Sequence, residues 1–456
     1  MNVQSLAFLA FLTVTVCVCR LLPKERTWVL LAASLVFYLW GGAPAALWGC
    51  GLLAVSSFVS YLAANTLRKH RRKSVLLAVV CYHIAVLGIF KYTVFFTGGA
   101  VRMPFVPLGI SFFTFQQIWY LREVYAGTFS QVPTPAEYLT YSFFFPTVSS
   151  GPILKPENFF PQLREASPLP QDTAAGLYAI GLGLAKKVLL ADAIGALWTD
   201  IIGVADSPST TFVGLANAST PLVWLGIIAY SLQLYFDFSG YSMMGIGMGK
   251  MLGFDFPANF NYPYISASIT EFWRRWHMTL SGWFREYVYI PLGGNRKGLK
   301  RQIFNLFVVE LLTGIWHGAN WNFICWGLYY FVLLAVEKLF LLPHLQKGRV
   351  WPHIYTLFLV VVGWAMFVGN DTGVSFGLLF HKLFVPSGGV SPLYFLRNYG
   401  VLLVVSILCC TPLIEKIWNL LKKNAVTRCA AILALLVVST AYVVGSTNSP
   451  FLYFNF

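Results

Sequence analysis

The sequence predicts an all-α protein that crosses a membrane many times, and its composition and the length of its apolar runs are the observations behind this. Of its 456 residues, 57% are hydrophobic and 11% are charged, whereas soluble domains carry about 25% charged residues. Many apolar stretches reach the roughly 20 residues that a helix needs to cross a bilayer. They are continuous rather than alternating, which favours helices over the strands of a barrel.

The first candidate helices are four apolar stretches at 6–22, 27–40, 45–64 and 74–96. Basic residues cluster after the first stretch, where Arg26 is the last of them, and after the third stretch. The positive-inside rule therefore predicts that both loops are cytoplasmic and that the N-terminus is outside. The first stretch lacks a basic leader and a clear cleavage site, so it predicts an uncleaved span rather than a signal peptide.

The stretches 107–125 and 138–153 are apolar but interrupted by polar residues or proline. This pattern predicts re-entrant or cavity-lining helices. Helices are expected next at 177–202 and at 221–238. In the first of these, Lys186 and Lys187 mark a membrane interface or snorkel to one. Four more apolar stretches bring the expected number of transmembrane helices to about eleven, with re-entrant and interfacial helices besides: 323–340, 354–368, 399–420 and 429–444. The whole chain, 1–456, is expected to form one membrane domain with no soluble domain.

The net charge of +15 does not indicate nucleic acid, because the lysines and arginines fall in short loops where the positive-inside rule explains them. The eight cysteines lie in or beside apolar runs without any CxxC pairing. We interpret them as small hydrophobic residues rather than disulfides or metal ligands. Neither a nucleic-acid partner nor a metal site is therefore expected.

The stretch 266–323 contains two of the seven histidines, His277 and His317, and tryptophans surround each of them. If 269–290 is a helix, His277 lies on an apolar face with Trp273, and arginines lie on another face. Such an amphipathic helix suits the cytoplasmic interface. Two interpretations of His277 stay open: it is a functional residue, or it is a core histidine whose imidazole is hydrogen-bonded to a carbonyl group.

His317 is the stronger functional candidate because of its expected depth. The positive-inside rule predicts that the basic loop 295–302 is cytoplasmic. Sixteen residues separate Arg301, in this loop, from His317, and they span at most about 24 Å of helix, less than the roughly 30 Å hydrocarbon layer. Gly314, Gly318 and Asn320 then disturb the helix. An ionisable residue at a helix break inside the membrane predicts a functional site.

An imidazole suits proton abstraction from a hydroxyl at neutral pH. The chain has neither GxSxG nor HExxH, so one base that activates an acceptor hydroxyl toward an acyl donor fits better than a covalent serine enzyme. Asn320 and Asn322 are candidate oxyanion donors. A transporter or channel in which His317 relays protons is the alternative of another class, but paired inverted repeats and a series of intramembrane carboxylates are missing.

Further candidate substrate contacts lie around these histidines. Trp316 and Trp321 flank His317. Asp237 could orient a histidine or bind substrate. It could equally be a residue at a helix end whose carboxylate is hydrogen-bonded to nearby amides. Arg274 and Arg275 could attract an anionic donor. Alternatively, they are charges at the membrane interface that only set the topology.

Two segments, FWRRWHMTLSGWFREYVYIPLGGNRKG and LLTGIWHGANWNFICWG, strongly resemble the membrane-bound O-acyltransferase family. The branch is the one that contains the membrane subunit of alginate O-acetylation. Other segments with the same resemblance are PLGISFFTFQ, GLAKKVLLAD, YFDFSGYS, GFDFPANFNYPY and the terminal FLYFNF.

The resemblance implies a multi-helix core around a central tunnel in the plasma (inner) membrane. It implies an acyl thioester donor from the cytoplasm, acetyl-CoA or an acyl-carrier thioester, and no tightly bound cofactor. The essential histidine of the WHG motif corresponds to His317, and the RRWH histidine corresponds to His277. A cell-envelope glycan acceptor and an extracytoplasmic partner of the SGNH-hydrolase type are implied too. D-alanyl transfer to teichoic acid, as in the sister branch, is the alternative within the class.

This sequence departs from the family pattern at three positions. Met243 stands after FSGYS, where the family often has an aspartate. Thr147 stands where the family commonly has the glutamine of FFPQ, and Val368 stands where an arginine often follows the motif near Trp364. These departures predict an altered acceptor site or a lost internal ion pair. They concern the acceptor more than acyl transfer itself.

Overall fold

The computed structural model describes residues 5–40, 44–101, 103, 105–129, 131–148, 151–165, 170–203, 211–368 and 373–445. Every regular element in these residues is a helix, apart from one isolated bridge between Ala218 and Val390. The terminal FLYFNF segment lies outside the described residues. The all-helical expectation is therefore confirmed for the described chain.

The chain folds as two compact units, and 1–184 with 241–258 form most of the first. Arg26 begins the second helix of this unit and is 5% exposed. Its guanidinium donates to the carbonyl groups of Gln162 and Leu252 and lies over the Phe254 ring. The residue that sequence reasoning placed in a cytoplasmic loop thus ties buried backbone together. The helices are α1 (Leu6–Leu21), α2 (Arg26–Leu39), α3 (Ala45–His70), α4 (Lys73–Phe96), α5 (Ile110–Ala126), α6 (Pro135–Phe143), α7 (Phe145–Val148), α8 (Pro156–Glu165) and α9 (Pro170–Ala185).

The second unit consists mainly of 185–240 and 259–442, and it contains both candidate histidines. Three π-helical turns, Lys186–Ala191, Arg285–Tyr289 and Glu337–Leu341, interrupt its helices, and such turns often mark functional sites. The helices are α10 (Asp192–Ile201), α11 (Thr220–Met251), α12 (Ile269–Arg275), α13 (Met278–Phe284), α14 (Gly298–His317), α15 (Trp321–Val336), α16 (Leu342–Leu345), α17 (Trp351–Phe367), α18 (Phe376–Phe384), α19 (Leu393–Cys409), α20 (Leu413–Leu421) and α21 (Ala425–Gly445).

Helices α14 and α15 pack closely because glycines face each other across the pair. A Cβ atom on Gly314 would lie 2.5 Å from the carbonyl oxygen of Phe323 and 3.3 Å from the Cα atom of Gly327. A Cβ on Gly327 would collide with the carbonyl oxygen of Glu310. Small residues allow this approach between apolar helices, and the approach fixes the end of α14, where His317 lies.

Five helices in the described residues are long and apolar enough to cross a membrane: Ala45–His70, Lys73–Phe96, Thr220–Met251, Trp321–Leu345 and Ala425–Val444. The number rises to seven if each of two bent helix pairs, with bends of 112° and 75°, forms one span. A multi-pass protein is confirmed, whereas the expected count of about eleven stays a prediction.

Two predicted helices differ from the structure. The stretch 221–238 is part of α11, which continues to Met251 because the glycines after residue 238 do not break a buried helix. The single helix predicted at 269–290 is wrong. The backbone is extended at Trp276 and left-handed at His277, which separates α12 from α13.

Candidate active site

His277 lies in the turn between α12 and α13, where its φ angle is 45°. A side chain in this left-handed region costs roughly 1–2 kcal/mol, so other contacts must hold the turn. Asn259 provides them. Its backbone carbonyl accepts from the amide of Met278 at 2.9 Å, and its Oδ1 atom accepts from the amide and the hydroxyl of Thr279 at 3.2 and 3.0 Å.

The same Oδ1 atom of Asn259 lies 3.1 Å from Nδ1 of His277. Because Oδ1 already accepts from two Thr279 groups, it is an acceptor here, and Nδ1 of His277 carries the donated proton. This assigns the tautomer and leaves Nε2 as the basic nitrogen. The Phe238 ring packs edge-on against the imidazole, with centroids 4.7 Å apart, and restricts its tilt.

His317 is the last residue of α14, and its residue surface is 6% exposed. Aromatic rings surround its imidazole: Trp326 and Phe367 lie edge-on at 4.9 and 5.0 Å, and Phe323 lies at 6.3 Å. The helix stops at Gly318, where a Cβ atom would overlap the Phe323 ring. The predicted break at Gly318 is therefore confirmed, and it is closely packed. The disturbance expected at Gly314 is wrong, because α14 runs unbroken through this residue.

Trp316 packs near both histidines. Its ring centroid is 6.2 Å from that of His277 and 4.9 Å from that of His317. Although the histidines are forty positions apart in the sequence, one indole therefore contacts both rings.

A cavity of about 250 Å³ within the second unit connects the two histidines. Arg274 and Arg285 line it and are exposed, so the cavity reaches the protein surface beside them. The remaining lining side chains are mainly apolar, with a few polar groups. They are Thr270, Trp273, Trp276, Leu280, Ser281, Phe284, Tyr289, Leu306, Val309, Glu310, Thr313 and Leu334.

Three of the predicted site residues, His277, His317 and Arg274, line this cavity. Arg275 instead pairs with Glu271 at 2.7 Å. Trp321 is 67% exposed.

The other predicted site residues also lie elsewhere. Asn322 points its side-chain amide at the backbone carbonyls of Met366 and Phe367, at long distances of 3.4 Å. Asn320 is the N-cap residue of α15, with no side-chain capping bond. Neither asparagine lines the cavity.

Asp237 is 1% exposed, and its carboxylate lies 2.8 Å from Nζ of Lys187. Lys187 is 2% exposed and also contacts Asp192 at 2.6 Å. The expected snorkelling of this lysine to a membrane interface is therefore wrong, because its side chain bridges two carboxylates inside the protein. Asp237 precedes Phe238, the ring that packs on His277, so the pair anchors that part of α11.

Sequence reasoning missed two residues of the site. Glu310 lies seven positions before His317 on α14, and this spacing puts it on the same helix face. That signal was present in the sequence. No pattern in the sequence pointed to Asn259, because eighteen residues separate it from His277 and only the tertiary fold brings the two together. Within the described residues, no group of three or more His, Cys, Asp or Glu side chains gathers as metal ligands do.

Comparison with known proteins places this site in a family. The sequence profile of the MBOAT, membrane-bound O-acyltransferase family matches residues 43–376, a range that includes both histidines. The chain belongs to this family.

Relatives of this O-acyltransferase share its sequence over most of its length. The probable alginate O-acetylase AlgI of Pseudomonas aeruginosa is 37% identical over 369 residues, which cover 77% of this chain and 68% of the relative. The peptidoglycan O-acetyltransferase of Helicobacter pylori is 32% identical over 387 residues, covering 76% and 71%. The teichoic acid D-alanyltransferase of Bacillus subtilis is 34% identical over 244 residues, covering 51% and 59%.

These matches establish the MBOAT chain as a membrane O-acyltransferase. They also give the cavity its chemical context. An acyl transfer to a hydroxyl needs a base for the hydroxyl proton, and two imidazoles line the cavity.

Proposed function

We propose that this protein is an O-acetyltransferase that takes acetyl from a cytoplasmic thioester and passes it to a cell-envelope polysaccharide or to an extracytoplasmic partner protein. One observation carries the proposal: His277 and His317 line a single cavity that reaches the protein surface at two arginines. The names of the alginate and peptidoglycan relatives support the acetyl group and the polysaccharide.

His317 is the proposed general base. Its imidazole takes the proton of the acceptor hydroxyl as the hydroxyl oxygen forms a bond to the thioester carbonyl carbon. The carbon–sulfur bond then breaks, and the thiolate leaves and accepts the proton from the imidazolium. Rings on several sides of His317 fix its orientation, and fixed orientation lowers the barrier of such a step.

His277 is proposed to support the reaction as a hydrogen-bond acceptor. Asn259 holds the proton on Nδ1, so Nε2 can accept from a hydroxyl or from an ordered water in the cavity. Arg274 is proposed to attract a phosphate of the donor, because an exposed guanidinium beside the cavity is suited to phosphate.

The remaining parts of the proposal concern the surroundings. The donor is acetyl-CoA or an acyl-carrier thioester, and the protein lies in the inner membrane with its N-terminus outside. This orientation follows from the basic loops after α1 and α3. The proposed partner is an SGNH-hydrolase-type acyltransferase. This assignment rests on the family resemblance alone.

D-alanyl transfer to teichoic acid is the second candidate, because the Bacillus subtilis D-alanyltransferase shares 34% identity with about half of this chain. Mass spectrometry of the modified polymer separates the two candidates, since acetyl and alanyl groups differ in mass. The alginate relative covers more of the chain, which favours acetyl.

The test replaces His317 with alanine and compares it with His344→Ala, a control in which the histidine is exposed and outside the cavity. General base catalysis contributes about 10² to 10⁴ in rate. The His317 variant should lose envelope acetylation by that factor, and the His344 variant should keep it. Acetylation that persists in His317→Ala at normal protein levels would refute the proposal. Proton flux through liposomes without any acyl product would support a transporter instead.

A further inference from the structure

Glu310 is a buried carboxyl group in the wall of the cavity, and the reaction proposed above does not use it. The residue is 8% exposed and lines the same cavity as both histidines. Its carboxyl group makes no hydrogen bond or ion pair with any described residue. Because this carboxyl group lies in the wall of the cavity, a bound ligand can supply the hydrogen bond that no described residue makes to it.

The position of Glu310 along α14 says which part of a ligand it would meet. Glu310, Thr313 and His317 follow at spacings of three and four and all line the cavity, so they share one helix face. Seven residues correspond to about 10 Å along the helix axis. The helix begins at Gly298, beside the basic loop that we expect in the cytoplasm. Glu310 therefore lies between the proposed donor side and the base.

The proposed donors have one chemical element in common near the thioester. Coenzyme A and acyl carrier proteins both present the acyl group on a phosphopantetheine arm with two secondary amides. The nearer amide nitrogen is four bonds from the thioester carbonyl carbon, and the distal one is eight bonds away. At peptide-like bond lengths in an extended chain, these paths span roughly 5 and 9 Å. The distal amide matches the separation of Glu310 from His317.

The same distance argues against another ligand group. In an aminoacyl donor the ammonium is two bonds from the carbonyl carbon, which is roughly 2.5 Å. A thioester carbonyl that lies at His317 would keep this ammonium well short of Glu310. The geometry thus favours the arm of the donor over the acyl group.

We propose that Glu310 determines specificity for the donor arm, because its carboxyl group accepts a hydrogen bond from the distal amide N–H of phosphopantetheine. This contact holds the thioester carbonyl beside His317. The inference rests on the proposed function, since it requires a thioester donor in this cavity.

The test uses two donors that differ in the distal amide. S-acetyl-pantetheine contains both amides, whereas S-acetyl-N-acetylcysteamine ends after the nearer one. Glu310→Met removes the acceptor, and Glu310→Gln keeps a carbonyl oxygen. Leu312→Met is the matched control on the same helix, because Leu312 is 38% exposed and does not line the cavity. Acetyl transfer by the purified full-length protein is measured with each donor.

We expect wild type and Leu312→Met to prefer S-acetyl-pantetheine. In Glu310→Met, KM for this donor should rise about fivefold to tenfold, the size of one hydrogen bond, with kcat changed less than about twofold. The shorter donor should be unaffected, and Glu310→Gln should keep most of the preference. If Glu310→Met does not accumulate, wild type is assayed with an S-acetyl-pantetheine whose distal N–H is replaced by an ester oxygen, and the same loss is expected.

An equal loss with both donors would show a structural role for Glu310 and overturn the inference. An unchanged preference in Glu310→Met, or an ester analogue as good as the amide, would overturn it as well. If wild type uses neither thioester, the proposed function itself fails and this inference fails with it. If wild type uses both donors and Glu310→Met shows no selective loss, only the assignment of Glu310 fails.

Discussion

Asn259 and His277 are joined by a hydrogen bond of 3.1 Å between Oδ1 and Nδ1, and this bond links the shape of the turn to the chemistry of the ring. The asparagine also caps α13 through the amide of Thr279. One residue, through its backbone carbonyl and its side chain, therefore holds the left-handed turn, the start of a helix and the tautomer of an imidazole.

Asn259→Ala should lower acyl transfer about 10- to 100-fold, because the ring loses its orienting acceptor, as happens when the group that orients a catalytic or metal-bound histidine is removed. The free energy of unfolding should fall by about 1–3 kcal/mol for the buried groups that lose a partner. Transfer rate and thermal unfolding in detergent measure the two effects. Thr279→Val keeps the acceptor of His277 and should change the rate less than about threefold. Equal rates in Asn259→Ala and wild type would disprove the positioning role.

The Lys187–Asp237 pair leads to a prediction about stability. Lys187→Met removes the cation beside a carboxylate that is 1% exposed, and breaking a buried pair on one side costs about 3–5 kcal/mol. The double variant Lys187→Met with Asp237→Leu should recover most of this loss, because no buried charge of the pair remains. Thermal unfolding of the purified protein checks the order of stabilities. A double variant less stable than the single one would contradict it.

Gly318→Ala should reduce acyl transfer about tenfold or more, because the new methyl group overlaps the Phe323 ring, and a shifted ring would move His317, whose geometry must be held closely. Gly400→Ala is the control, since nothing lies within 4 Å of a Cβ atom there and alanine favours a helix. The control should fold as well as wild type or slightly better. Full activity of Gly318→Ala would show that Phe323 can move without disturbing the site.

Glu137 leads to a prediction about pH. Burial raises the pKa of its carboxyl group, but the two hydrogen bonds from Arg164, at 2.7 and 3.0 Å, and the bond from the amide of Thr134 outweigh burial, so the pKa lies below its usual value. Because the folded-state pKa is the lower one, this contribution to stability is complete above the unfolded value of about 4.3. It is lost as pH falls through the folded-state pKa.

Thermal unfolding between pH 3 and 7 tests this. The melting temperature of wild type should fall below about pH 4.3 more steeply than that of Glu137→Gln, which cannot titrate. Parallel curves for the two proteins would mean that the Arg164 pair does not contribute.

The sequence predicted the elements that depend on local signals. The end of α14 at His317 was expected because Gly318 and Asn320 follow it directly, and the apolar runs of α3 and α4 were long enough to be unmistakable. The break at His277 was not expected, because residues other than glycine seldom adopt the left-handed region. Asn259, which stabilises it, is distant in the sequence.

For charged residues in apolar runs, the sequence did not show whether the side chain is buried in the protein or reaches a membrane surface. Lys187 could have extended toward a membrane surface or entered the protein, and its own neighbours do not distinguish these. The partner that decides it, Asp237, is fifty positions away. Glu310 was overlooked although its helical spacing to His317 was visible, since a single carboxyl group says little until a cavity is seen beside it.

The left-handed turn at His277 affects how substitution experiments at this position are interpreted. Alanine would remove the imidazole together with its hydrogen bond to Asn259, which helps to hold the turn, so a dead alanine variant would not separate loss of chemistry from loss of shape. Asparagine tolerates this conformation better than most residues, and glycine adopts it freely. A relative that carries asparagine here could have exchanged its ring for an amide while the surrounding architecture stayed intact.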